Sequence, residues 1–213
     1  MVKRLWRMYN HALSTRPLLT NTVTASTLFL AGDVLCQTIE RRTKRIEAEE
    51  KGTEAILEWD YMRMLRMTTF GAVFFGPSSH LWYMWLDKFF VRASKEARDL
   101  PLRDFKSMSD FVKHSKLKLT LKKIALDEGF YSPFCIAALF VFVSTLEGQN
   151  LEYIKDKFRY QFIEAYKMDL AIWPAAQFVN FFFLPAAYRV LYISFICIFW
   201  NAYLSQVQNT SAH

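Results

Sequence analysis

"WPAAQFVNFFFLP", residues 173–185, is greasy enough for a lipid bilayer, yet it carries amides and prolines that a simple anchor would not need. Trp173, Gln177 and Asn180 fall at i, i+4 and i+7, so a helix would align them in one stripe. In hydrocarbon a polar group must find its partner within the protein, which turns that stripe toward other helices. Pro174 is tolerated in a first helical turn, where its missing N–H would have no partner anyway. Pro185 frees a backbone carbonyl near the far end, and Arg189 is placed to snorkel from there toward lipid phosphates. The stretch therefore predicts an all-α membrane protein.

About 20 mainly apolar residues cross a hydrocarbon core of ~30 Å. Four stretches qualify, at about 18–37, 67–86, 124–146 and 170–187, and they predict four transmembrane helices in a compact bundle. A further apolar run at 190–204 is short, and reads as a fifth helical segment after the proline kink. The membrane domain occupies 17–206, between a basic amphipathic segment at 1–16 and a polar tail at 207–213. Positions 87–123 carry eleven basic residues and five acids, whereas 38–59 and 147–169 are each close to neutral. With the basic amino-terminal segment, this asymmetry places both termini on one side under the positive-inside rule, although Arg63 and Arg66 sit at the opposite face. A five-span arrangement, with Arg189 in a tight turn and the tail sent across, is the alternative.

The first acid in the chain is Asp33, while Lys3, Arg4, Arg7 and Arg16 precede it, and Leu5, Trp6, Tyr9 and Leu13 share a helical face. A basic, acid-poor, amphipathic start has the character of mitochondrial targeting information. The net charge of +7 suits anionic surroundings such as phospholipid or RNA. Cys36, Cys135 and Cys197 are far apart in apolar runs, which predicts small packing residues and no metal site.

Within the spans, Asp33 and Gln37 stack four residues apart, and His80 and Asp87 lie seven apart on one face. Together with Trp173, Gln177 and Asn180 they form a candidate polar seam or pore lining. Pro77, Pro133, Pro174 and Pro185 are the expected kinks. The same residues also suit interhelical glue that fixes helix register at about 0.6–2 kcal/mol each. Ser78, Ser79 and His80 are too close along one helix to assemble a catalytic triad, and no phosphate-binding glycine loop or zinc-protease motif occurs. No enzymatic activity and no cofactor are expected.

These motifs also carry a resemblance. "AGD" at 31–33 with Gln37, "FGPSSHLWYMWLDKFF" at 75–90, "SPF" at 132–134, "LEGQ" at 146–149, "WPAAQFVNFFFLPAAYRV" at 173–190 and "WNAYLS" at 200–205 resemble the family of the twenty-two-kilodalton peroxisomal membrane protein and the mitochondrial Mpv-seventeen protein. "LLTNT", "LEGQ" and "WPAAQFVNF" look closest to its Mpv-seventeen-like protein two branch. Asp127–Glu128 stands where many relatives have Asp-Gln, and the 87–123 segment is longer than in relatives. The resemblance implies a multi-pass protein of the mitochondrial inner membrane, with the acid-free start favouring that membrane over the peroxisomal one. It implies two competing roles: a small pore for solutes or ions serving organelle homeostasis, or a membrane-anchored factor for mitochondrial ribosome assembly and translation. The expected partners are the lipid bilayer, anionic phospholipid included, a homo-oligomer, and the mitochondrial large ribosomal subunit. No DNA contact is expected.

Lys113, Lys116, Lys118, Lys122 and Lys123 form the densest basic group, a candidate lipid or RNA contact alongside Arg189. If this group docks on ribosomal RNA, changing the five lysines to Gln releases the protein from large-subunit fractions, and added salt weakens the wild-type association steeply as counterions are released. Co-sedimentation across a salt series checks this; association that ignores both the substitutions and the salt removes RNA as the partner of this segment.

Overall fold

The computed structural model describes residues 2–54, 58–97, 108–183 and 186–209, and the regular structure among them is helical throughout. Helix α1 (Val2–Thr15) leads into the long α2 (Pro17–Lys51). Three rods follow, α3 (61–97), α4 (108–146) and α5 (151–182), and the described chain closes with α6 (Ala186–Asn209). Local chemistry sets several of these ends. Pro17 opens α2, and Gly52 ends it in the left-handed region at φ 64°. Asp60 caps α3 by accepting the Arg63 N–H at 2.8 Å, and Asn150 caps α5 by accepting the Tyr153 N–H at 2.9 Å.

Each of the three rods contains one wide π-helical turn, at Gly71–Phe75, Asp127–Tyr131 and Phe158–Phe162. The first two stand just before Pro77 and Pro133. A proline inside a helix lacks an N–H and presses its ring on the carbonyl four residues back. Those carbonyls belong to Val73 and Gly129, inside the widened turns, so both rods pass their prolines unbroken. The segment around "KHSKLKLTLKKI" is helical too, as an extension of α4.

Contacts between rods give their directions. Gly71 of α3 lies against Ala25 and Ser26 of α2, while Arg63 reaches Asp33 and Glu40 further along α2. Arg66 of α3 meets Glu147, the residue capping the end of α4, at 3.3 Å at one end of the bundle, and Trp82 meets Asp127 at 2.7 Å deeper in. Between α4 and α5, Phe140 meets Phe158 and Ser132 meets Asp169; between α5 and α6, Trp173 meets Trp200 and Glu164 lies near Tyr203. Successive rods are therefore antiparallel, and α6 runs parallel to α2.

Three expectations are corrected here. The fourth apolar helix starts at Leu151, not near Leu170, because Phe158, Phe162 and Tyr166 pack on the core and carry the helix through what reads as a polar loop. Pro174 consequently lies inside α5, far from its first turn. The run at 190–204 belongs to a 24-residue helix, Ala186–Asn209, whose Trp200, Leu204 and Val207 pack on the core. The end of α6 therefore lies at the same end of the bundle as residues 38–60, opposite α1. Pro185 lies outside the described residues.

An apolar core is combined here with an apolar exterior and several buried charged groups. Val73 is 64% exposed and Phe195 62%, whereas Asp33 is fully buried and Lys157 only 1% exposed. Among the described residues two helices, within 17–51 and 117–146, are long and apolar enough to cross a membrane by composition. Apolar side chains also face outward on α3, α5 and α6, where Leu81, Ile163 and Phe199 are exposed.

Two features tie α2 into the bundle. A side chain at Gly32 would meet the backbone of Asn201 and Ala202 at 2.8 Å, so only glycine lets α6 approach this closely. At the bundle's end Arg63 donates to Asp33 at 2.7 Å and to Glu40 at 2.9 Å, and its third nitrogen lies 2.9 Å from the Cys36 sulfur. Gln37 completes this clasp, donating to Asp33 at 2.8 Å and exchanging hydrogen bonds with the Asp60 backbone at 2.9 and 3.0 Å.

Gly32→Val should force α2 from α6 and destabilise the protein by about 1–3 kcal/mol, read as a lowered Tm in detergent. Arg63→Met should cost about 3–5 kcal/mol by leaving a buried carboxylate without its cation. The double variant Arg63→Met with Asp33→Leu should recover part of that loss. Equal melting of the single and double variants would show that charge burial is not what the clasp resolves.

A carboxyl-lined cavity between the helices

The π-turn of α4 gathers the most unusual residues of the interior. Asp127, Glu128 and Tyr131 are all buried on it, while Phe130 points outward and is exposed. Asp127 is held from three sides. Its Oδ1 accepts the Trp82 indole N–H at 2.7 Å, and its Oδ2 accepts the Tyr83 hydroxyl at 3.3 Å and the Gln177 amide at 3.4 Å. Tyr131 reaches Ser78 at 3.1 Å and stacks on the Trp82 ring. Thus α3 and α5 both close on α4 through one carboxylate.

The neighbouring acid is held differently. Tyr166 of α5 donates to the Glu128 backbone carbonyl at 2.8 Å, and Ser132 donates to Asp169. The Glu128 carboxyl is close enough to Asp169 to share a hydrogen bond with it. Its Oε2 is buried and has no hydrogen-bond partner among the described residues. These groups border a cavity of about 180 Å³, which Phe29 of α2, Tyr83 of α3, Gln177 of α5 and Asn201 of α6 also line. Every rod of the bundle contributes to its wall. Among the described residues no cluster of His, Cys, Asp and Glu has the arrangement to hold a metal ion.

The seam residues divide between sites. Asp33 and Gln37 belong to the arginine clasp, and Gln177 belongs to the cavity. Trp173 lines the cavity through its edge-to-face contact with Trp200. His80 lies apart, with Nδ1 3.1 Å from the Asn21 amide. The side chains of Asp87, Asn180, Arg189, Lys113 and Lys116 lie outside the described residues. Lys118 and Lys122 are exposed on the outer part of α4, and Lys123 sits 5.9 Å from the Phe90 ring.

Arg63, Glu128 and Asp169 are the functional candidates that periodicity misses. Asp169 reads as the last residue of a polar loop, and Glu128 as the wet end of a span. The available signal was charge in the wrong place: Arg63 offends the positive-inside pattern, and an acid pair replaces Asp-Gln.

The chain's similarities agree with this architecture. Residues 144–205 match the Mpv17 / PMP22 family. Protein sym-1 of Neurospora crassa is 32% identical, over 92% of this chain and 95% of its own length. Protein SYM1 of Gibberella zeae is 30% identical, over 95% of this chain and 97% of its own. The protein named mitochondrial inner membrane protein Mpv17 in Caenorhabditis briggsae is 29% identical over 98% of this chain and 95% of its own. No solved structure matches the chain. Full-length similarity at this level, on a bundle with an apolar exterior, makes the chain a member of the Mpv17/PMP22 family residing in the mitochondrial inner membrane.

Proposed function

We propose that the chain crosses the inner membrane five times and forms a narrow, cation-preferring path for small solutes or ions. The observation that carries this reading is the cavity of about 180 Å³ bordered by three carboxyl groups inside an apolar-surfaced bundle. Acids at the membrane interior are costly, so their presence favours a role beyond packing. Asp127 is fixed by three donors and shapes the wall. Glu128 keeps an oxygen free of protein partners and is positioned to meet a cation or a protonated solute. Acidic groups clustered in a low-dielectric wall favour cations and repel anions. The apolar outward faces of α3, α5 and α6, together with the direction of α6, support five crossings over four.

The ribosome-assembly reading keeps one observation in its favour. The exposed Lys118 and Lys122 lie on the outward face of α4, where a soluble partner could reach them, while Thr120 and Ile124 face the interior.

Purified protein reconstituted in planar bilayers should pass current, and its reversal potential in a salt gradient should report cation preference. Glu128→Gln and Asp169→Asn should move that potential toward zero without lowering protein yield or monodispersity. Bilayers that stay silent, or a preference unchanged in both variants, would take the cavity out of any conduction path. For topology, single cysteines at Thr53 and Gln208 should react with an impermeant thiol reagent from one side, and a cysteine at Ser14 from the other.

A further inference from the structure

Just beyond the arginine clasp, α2 carries a second basic cluster. Thr38, Arg41, Arg42 and Arg45 stand at i, i+3, i+4 and i+7, so three guanidinium groups share one helical face. Trp59, from the segment returning to α3, closes over them, and the five residues line a cavity of about 220 Å³. The Arg41 guanidinium lies 4.4 Å from the centre of the Trp59 ring, which sets its plane and leaves its edge for a ligand. Its Nε is buried and has no hydrogen-bond partner among the described residues. No carboxylate pairs with Arg41, Arg42 or Arg45 among the described residues, and the nearby Glu40 is engaged by Arg63.

Like charges at i, i+4 repel, and a buried N–H without an acceptor is costly. One ligand relieves both: an anion with several oxygens, matched to planar Arg forks. The level of the cluster indicates where that anion comes from. Arg41 is four residues past Gln37, about 6 Å along the helix axis. Ile39, Tyr61 and Met62 are exposed at this level, and with Trp59 they form an apolar and aromatic rim where the bundle leaves hydrocarbon. Along α2 the charges are also sorted. Basic residues at 41, 42, 44 and 45 come first, and the acids at 47, 49 and 50 lie farther out, so the segment's near-neutral total hides a basic collar. Headgroup phosphates lie at this depth.

We propose that Thr38, Arg41, Arg42, Arg45 and Trp59 form a binding site for the phosphate of an anionic phospholipid headgroup. The inference uses the membrane-embedded fold and is independent of whether the cavity conducts. The Trp59 ring and the exposed apolar rim suit the glycerol and upper acyl chain, and the three arginines take the phosphate oxygens.

The test is native mass spectrometry of the full-length protein in detergent, titrated with phosphatidylglycerol and, separately, with phosphatidylcholine or inorganic phosphate. Arg41→Gln with Arg45→Gln should weaken phosphatidylglycerol retention roughly tenfold or more. Arg41→Lys with Arg45→Lys should lie between that variant and wild type. Lys155→Gln with Lys167→Gln, which removes as much charge from exposed positions on α5, should leave retention unchanged. Melting temperature controls for folding, and the exposed single variant Arg42→Gln provides a gentler reading of the same site. Unchanged retention in the Arg41/Arg45 and Arg42 variants overturns the proposal, as does equal loss from the Lys155/Lys167 control. Binding of inorganic phosphate that depends on Arg41 and Arg45, with no retention of phosphatidylglycerol, assigns the pocket to a soluble phosphate and rejects the lipid.

Discussion

A polar group with lipid on one side has no water to fall back on, and most of this architecture follows from that. Hydrogen bonds that would be worth about 1 kcal/mol net beside water become obligatory where the alternative is hydrocarbon. The chain answers by burying selected charges beside its aromatic core and leaving many apolar side chains on the outer face. Arg63 and Asp33 meet at 2.7 Å with almost no exposure, while Val73, Leu81 and Phe195 stand on the outer face. Because each inward group needs a partner from another rod, satisfying the polar groups and assembling the bundle are the same event. The clasp joins α2 to α3, and Asp127 joins α3, α4 and α5.

Close backbone approach is the second condition. Without a hydrophobic drive between helices in lipid, packing and short polar contacts hold the rods together. Gly32 lets α6 lie on α2, and Gly76 brings α3 within 2.6 Å of the Thr22 Cα as measured from an added methyl. The π-turns serve the same end. They absorb Pro77 and Pro133 without breaking the rods, and the one in α4 turns Asp127, Glu128 and Tyr131 inward together.

The bundle thus holds two kinds of buried acid. Asp33 and Asp127 are enclosed by donors, and their role is to fix geometry. Glu128 and Asp169 border open space, and Glu128 retains an oxygen that the described protein does not use. This contrast is why the proposed solute path runs through the cavity and not the clasp. Beyond the clasp, the arginine face of α2 extends the same logic, with a lipid phosphate as its proposed partner.

The sequence by itself determined the class of structure, because composition and periodicity are local. Twenty-residue apolar runs, inward stripes such as Trp173 and Gln177, and the acid-free start are all readable one helix at a time, and they gave the helical membrane fold and the organelle. The family motifs are equally local. What only the tertiary structure decided is which polar group answers which. Hydropathy cut the fourth helix at Leu170 because Asp169, Glu164 and Lys157 look like a wet loop; the fold hides Asp169 against Glu128 and Lys157 against Tyr153 instead. It ended the chain in a short apolar segment because nothing local reveals that Gly32 has room for Asn201 and no side chain of its own. Pairing across 30 residues in the clasp, and across 50 between Asp127 and Gln177, depends on helix direction and depth, which no single stretch encodes.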